Sequence, residues 1–337
     1  MLKKCELPSQ RGTEKLIEEL QQVNHGIGIT RIQNLEEHYA NYLLIGDKAL
    51  KIYKVSRSVI DLLIESWRKH SLESTEFGNR FPLLLTEEEL SRTDGRSKII
   101  KIIENQESLD IVFCTKRFSV ERKDLSMGDF SDDLRAELKD YDELIGVKRY
   151  DRQFFDVVSL HKSKNIIEVR IDISGNVKRE IRDAAFRQIV NAFNVQSNAF
   201  YGINSPLNSE VDFFPIIDKL YHCNDAKVYE IKFLTEEGST KYAKMKRNGD
   251  DLRQESFHRH GRAGVRTIGI YGITVFWEHQ IIDGETINPE IKVMGRSTML
   301  SKPESAFISQ ISISRCVFQE DYRFVLEKVI SDLDDVL

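Results

Sequence analysis

Asn165–Ser174 reads NIIEVRIDIS, and its alternation decides the fold class. Ile167, Val169, Ile171 and Ile173 fall on one side of an extended chain, and Glu168, Arg170 and Asp172 on the other. A period of two with one apolar and one polar side is the pattern of a strand in an antiparallel sheet. Two stretches before it, ELIGVKRY and QFFDVVSLHK, read as further strands. Asp151-Arg152 links the first two, and Lys162-Ser163-Lys164 turns into the third, which predicts a meander. The period then changes. From about Val177 to Val195 the apolar residues Ile181, Ala184, Ala185, Ile189, Val190 and Phe193 recur at helical spacing.

The same mixture extends in both directions. Towards the N-terminus, Glu14 to Val23 has helical spacing, and YANYLLIGDKALKIYKV reads as a hairpin around Gly46-Asp47-Lys48. Ser56 is placed to cap a helix that carries Ile60, Leu63, Ile64 and Trp67 inward. RSKIIKIIENQ and SLDIVFCTKRFSV then form a second strand pair. Towards the C-terminus, a helix over Val211 to Tyr221 precedes the strand KVYEIKFLTEE. GVRTIGIYGITVFWEHQII, EIKVMGRSTML and SQISISRCVF follow as strands, with a turn at Asp283-Gly284, and a last helix spans Glu320 to Val336. Strand groups joined by hairpins and interleaved with helices predict an α+β fold of mostly antiparallel sheets. The acidic stretch Asp124 to Asp140 marks the expected boundary between two lobes, residues 1–135 and 136–337.

Composition limits the function classes. The 337 residues are 40% hydrophobic and 31% charged, with only six prolines, which suits a well-charged globular chain rather than a disordered one. No apolar run approaches the roughly 20 residues of a membrane helix. The N-terminus turns charged at once, so neither a membrane partner nor a secretory leader is expected. Cys5, Cys114, Cys223 and Cys316 form no CxxC pair, so reduced thiols in a cytoplasmic protein are expected.

One segment breaks the charge pattern. Lys241–Arg266, KYAKMKRNGDDLRQESFHRHGRAGVR, has eight Lys/Arg against three Asp/Glu, a formal +5 in a chain of formal charge −5. A basic insertion between two apolar strand runs is an electrostatic footprint for an anionic partner. Arginines offer forked donors to phosphate oxygens, and glycines let backbone N–H groups come close. Lys244, Lys246, Arg247, Arg253, His258, Arg259, His260, Arg262 and Arg266 are therefore the expected nucleic-acid contacts. Charges that pair with the acidic rest of the chain, with a protein partner or with a second copy of the chain give the same pattern.

Two short patterns suggest catalysis. Arg253-Gln-Glu-Ser-Phe-His258 has an Arg-x4-His spacing that resembles the catalytic pair of HEPN ribonucleases, which would act on RNA phosphates. The resemblance covers six residues, and strands flank them where HEPN domains are all-helical. Glu230-Ile231-Lys232 on a strand, with Asp212 upstream, resembles PD-(D/E)xK nucleases. That resemblance implies Mg²⁺ held by Asp212 and Glu230, and Lys232 orienting water. Glu290-Ile291-Lys292 repeats the pattern, as a solvated face of alternating charges also would. His222, Cys223, His258 and His260 fit no standard ligand spacing, so no metal is expected outside the nuclease reading. No Walker A, GxSxG, HExxH or GxGxxG signature occurs. The expectation is a nucleic-acid-binding or sensing module, an accessory subunit of a bacterial defence or mobile-element system. A Mg²⁺-dependent nuclease and a protein–protein adaptor are the alternatives.

Overall fold

The computed structural model describes residues 1–9, 12–22, 25–175, 177–246, 250–280 and 286–333. Its strands are β1 (Lys48–Lys54), β2 (Lys98–Glu104), β3 (Ser108–Leu125), β4 (Leu144–His161), β5 (Ile166–Asp172), β6 (Lys227–Thr235), β7 (Thr240–Lys244), β8 (Ile268–Phe276), β9 (His279–Gln280), β10 (Thr286–Ile287), β11 (Glu290–Met294) and β12 (Ile311–Ser314). Its helices are α1 (Thr13–Gln22), α2 (His25–Ile45), α3 (Arg57–Arg68), α4 (Glu76–Arg80), α5 (Glu87–Arg92), α6 (Asp132–Leu138), α7 (Arg179–Tyr201), α8 (Ile216–His222), α9 (Ser256–Ala263), α10 (Thr298–Ser301) and α11 (Gln319–Leu333).

Ten strands form one sheet in the order β2-β3-β4-β5-β1-β12-β11-β8-β6-β7, and β9 and β10 pair separately. Every pairing is antiparallel, which makes the chain α+β. The sheet takes strands from both sides of residue 135, and β12 lies directly beside β1. Residues 126–143 occupy the far end of the β3–β4 hairpin.

The two faces of the sheet are covered differently. On the first face a continuous core crosses nearly all the strands, from Val112 and Val157 through Leu50, Ile313 and Ile291 to Val228 and Ile231. Helices α8 and α11 supply Leu220, Val325 and Val329 to it, and the end of α2 supplies Leu44 and Ile45. The second core is shorter. It joins Phe113, Val158, Val169, Ile171 and Ala49 to Trp67 of α3 and Phe193 of α7, whose rings stack at 5.5 Å. None of its buried members comes from β12, β11, β8, β6 or β7.

Several local expectations change. Residues 39–45 (YANYLLI) are not a strand. They end α2, which Gly46 closes by donating its N–H to Tyr42 O at 2.8 Å. A short apolar run carries no period to separate helix from strand. ELIGVKRY and QFFDVVSLHK form one 18-residue strand, β4, in register with β3 from Ser108↔His161 to Leu125↔Leu144, so Asp151-Arg152 is no turn. The helix expected over Val211–Tyr221 is confined to α8. The turn at Asp283-Gly284 and the end of the last helix at Val336 lie outside the described residues.

The polar side of NIIEVRIDIS is buried as well. Ile166–Asp172 is inaccessible along its whole length, because α11 lies over Glu168 and Arg170. Charges survive there by pairing with one another, although Arg170 Nη1 is left without a hydrogen-bond partner. Glu168 Oε2 accepts from Arg170 Nε at 3.0 Å and from Tyr322 Oη at 2.9 Å, and its other oxygen contacts His161. Asp110 accepts from Ser108 at 2.8 Å and Ser159 at 2.5 Å. Nearby, Lys48 donates to Leu43 O at the end of α2 (2.7 Å) and to Phe155 O (2.8 Å). Where β4 and β5 part, Asp156 accepts Asp172 N at 2.9 Å and Asp172 accepts Phe155 N at 3.2 Å, so two carboxylates replace the missing strand contacts.

Candidate nucleic-acid interface

The basic segment begins as the edge strand of the sheet. Residues 235–239 form a tight turn in which Gly238 takes φ +80°, and β7 then pairs with β6 from Leu234↔Thr240 to Glu230↔Lys244. A short, lysine-bearing strand suits an unpaired edge, because exposed ammonium groups discourage strand addition. Beyond it, Asp251 accepts Arg253 N and starts a 3-10 turn. Glu255 then caps α9 by accepting the N–H groups of Phe257 (2.9 Å) and His258 (2.6 Å).

Some of the expected contact residues hold this insertion in place. Arg253 donates Nη1 to Tyr221 O (2.8 Å) and Cys223 O (2.7 Å), and Nη2 to Ala226 O (2.6 Å). Its guanidinium thus satisfies carbonyls at and beyond the C-terminus of α8, where a cation is favoured. His258 is buried, with Nε2 3.1 Å from Tyr221 Oη, and burial lowers its pKa. The Arg-x4-His pair therefore ties α9 to α8. Arg262 donates to the carbonyls of Val265 and Arg266 at 3.2 and 3.3 Å.

The rest of the basic set faces outward. Lys246, Arg259, His260 and Arg266 are exposed, and Lys241 lies exposed on β7. Among the described residues Lys241, Lys246, Arg259 and Arg266 have no ion-pair partner; Arg247 lies outside them. Two rings stand among these cations. Phe257 is 86% exposed and Tyr242 58%. Between α9 and the β6–β7 hairpin lies a groove of about 310 Å³ whose walls include Phe233, Tyr242, Ala243, Phe257, Val265 and Ile268. In the sequence Tyr242 and Phe257 are the only rings of this segment besides its histidines, a thin aromatic signal for single-stranded nucleic acid. The signal at Phe257 was its place beside Arg259 and His260 on a polar helix.

Each residue of the nuclease reading is engaged with another partner. Asp212 Oδ1 accepts Phe214 N at 2.9 Å and Ile308 N at 2.8 Å, which fixes the turn into α8. Lys232 Nζ lies 5.8 Å from the centre of the Tyr242 ring. Glu230 is buried between Lys292 (3.4 Å) and Lys244 (3.8 Å). His222 Nδ1 is 2.9 Å from Asp218 O, and Cys223 Sγ is 2.5 Å from Asp225. Among the described residues no three His, Cys, Asp or Glu side chains gather as metal ligands, and no helix is long and apolar enough to cross a membrane.

Glu230 belongs instead to a row that runs straight across the strands: Lys244↔Glu230↔Thr274↔Lys292↔Ser312↔Ala49. At Ala49 the row passes under the second core, so the polar residues begin where that core stops. A bulge between Val228 and Glu230 brings Tyr229 to this face as well, with Lys244 Nζ 5.4 Å from its ring centre. The resulting bowl, about 670 Å³, also contains Glu290, Ser314 and Arg315. Burial pushes the Glu290 carboxyl up, against the pull of Arg315 and Lys292. Comparison with protein-family models, with curated proteins and with solved structures finds no match to this chain.

Proposed function

We propose that the chain binds single-stranded nucleic acid along its β7 edge and the outer side of α9. Lys241, Lys246, Arg259 and Arg266 meet phosphates, and bases stack on Phe257 and Tyr242. The observation that carries this reading is the 86% exposure of Phe257 on a helix rich in cations. An exposed ring costs solvation in the free protein, and a base face is a sequence-tolerant partner for it. The cations position a backbone and specify no base. Arg253, His258 and Arg262 support this surface from beneath, and Lys244 stands at its border with the bowl.

A labelled 20-nucleotide strand titrated across a salt series tests the reading. Affinity falls steeply with salt, and Lys246→Ala/Arg259→Ala/Arg266→Ala lowers the log–log slope by about 2, at roughly 0.7 per phosphate contact. Phe257→Ala costs about 1–3 kcal/mol of binding. No binding at low salt, or a slope the triple variant leaves unchanged, refutes the proposal.

A further inference from the structure

The bowl on the uncovered sheet face has an acidic floor and a rim that is basic apart from Asp47. The side chain of Glu230 is 5% exposed and that of Glu290 18%, whereas those of Lys244, Lys292 and Arg315 are 41–43% exposed. Every carboxylate–cation contact across it is long: 3.4 and 3.8 Å at Glu230, and 3.9 Å between Glu290 and Arg315. Charge-assisted hydrogen bonds run about 2.7–2.9 Å when fully formed. These ammonium and guanidinium groups are held near their partners with donor capacity to spare. Thr274 lies in the same row between Glu230 and Lys292, and its buried hydroxyl has no hydrogen-bond partner.

The rim is also built at a cost. Arg315 takes φ +63°, a backbone state that disfavours an L side chain by about 1–2 kcal/mol. It is held there by donating its N–H to Asp47 Oδ1 at 3.3 Å, just after β12, with its side chain towards Glu290.

We infer that this bowl binds a phosphorylated sugar, the ribose-phosphate unit of a nucleotide. The phosphate sits among Lys244, Lys292 and Arg315. The sugar hydroxyls point down and donate to Glu230 and Glu290, which accept only. Ser312 and Ser314 supply hydroxyls at the wall. A bare anion reaching inwards would meet the floor carboxylates of Glu230 and Glu290, so the lower end of the ligand must carry donors. The volume of about 670 Å³ lies within the usual range for small-molecule sites. This site is separate from the α9 surface and shares with the expected contacts only Lys244.

Calorimetric titration of the full chain with AMP, ribose 5-phosphate and inorganic phosphate tests the inference. AMP and ribose 5-phosphate bind, and inorganic phosphate binds at least tenfold more weakly. Lys292→Gln weakens both sugar phosphates about tenfold, and Ser314→Ala, a milder change, weakens them about threefold. Glu290→Gln narrows the gap between ribose 5-phosphate and inorganic phosphate. The Lys246/Arg259/Arg266 variant leaves all three titrations unchanged, so loss of polymer binding and loss of this site are told apart. The inference is overturned if neither sugar phosphate binds, if inorganic phosphate binds as tightly, or if folded Lys292→Gln and Ser314→Ala bind like the parent chain.

Discussion

Glu168-Val-Arg170 on β5 and Glu230-Ile-Lys232 on β6 are written in the same pattern and meet opposite fates. In the first half of the sheet helices lie on both faces, and the β5 charges are sealed beneath α11. In the second half, among the described residues, one face has no helical layer over the charged row, and its lysines reach water. The sealed half gives Glu168 three side chains at hydrogen-bonding distance, although the contacts Arg170–Asp110 and Lys48–Asp172 are 3.8 and 3.6 Å long. The open half leaves its cations 3.4–3.9 Å from their carboxylates. Alternation marks a strand; the helices that cross it decide whether its polar side becomes a structural network or a surface with chemistry to offer.

The largest effect expected from this contrast is at Glu168. Glu168→Gln strands Arg170 in a site where its other acidic neighbour, Asp110, is 3.8 Å away. An uncompensated buried charge costs about 3–5 kcal/mol. Urea unfolding of the full chain measures it, and a loss below about 1 kcal/mol would break the distinction between the halves.

Acid tests the same network through its titration. Burial pushes the Glu168 carboxyl up, yet Arg170 and His161 outweigh it and hold it well below the usual carboxylate range. Asp172 is lowered in the same way, burial being outweighed chiefly by Lys48. A carboxyl with a lowered folded pKa stabilises the fold fully above its unfolded value, near 4, and that stability drains away as pH falls towards the folded value. Asp156, pushed up by burial, works in the opposite sense. Stability therefore falls as pH drops below about 4.5, and Glu168→Gln flattens the fall by up to about 1.4 kcal/mol per pH unit, one proton's worth. Parallel curves for the two proteins would remove Glu168 from the acid response.

Much of this was legible from local pattern. The apolar sides of β5 and α3 appear in the sequence as drawn, with Ile60, Leu63, Ile64 and Trp67 all buried. What escaped local reading depends on distant pairing. Arg253 looked like a phosphate ligand because its carbonyl partners, Tyr221, Cys223 and Ala226, lie about 30 residues upstream on another helix end. Lys292 meets Glu230 across β8 only because the strand order β11-β8-β6 departs from chain order, over 62 residues. Glu290-Ile291-Lys292 was visible as a repeat of Glu230-Ile231-Lys232, but no local period says that two such strands face one bowl. The exposed Phe257 offered a compositional hint and no more, since helix spacing alone allows either a core or a surface position.

The smallest effect is expected in the open half, and it sharpens the comparison most. Glu230 is as inaccessible as many core residues, so burial alone would predict a penalty like that at Glu168. Its partners differ. Lys244 and Lys292 are 43% and 41% exposed, and each can swing its ammonium into water when the carboxylate is neutralised. Glu230→Gln should therefore cost less than about 1 kcal/mol, the range of solvent-screened ion pairs. High salt should shrink even that, because exposed cations are screened where buried ones are not. Paired unfolding curves for Glu168→Gln and Glu230→Gln, at low and high salt, read the difference directly. A Glu230→Gln loss of several kcal/mol that salt leaves untouched would mean that the open half is held together by its charges as firmly as the sealed one, and the row would then serve the fold rather than a ligand.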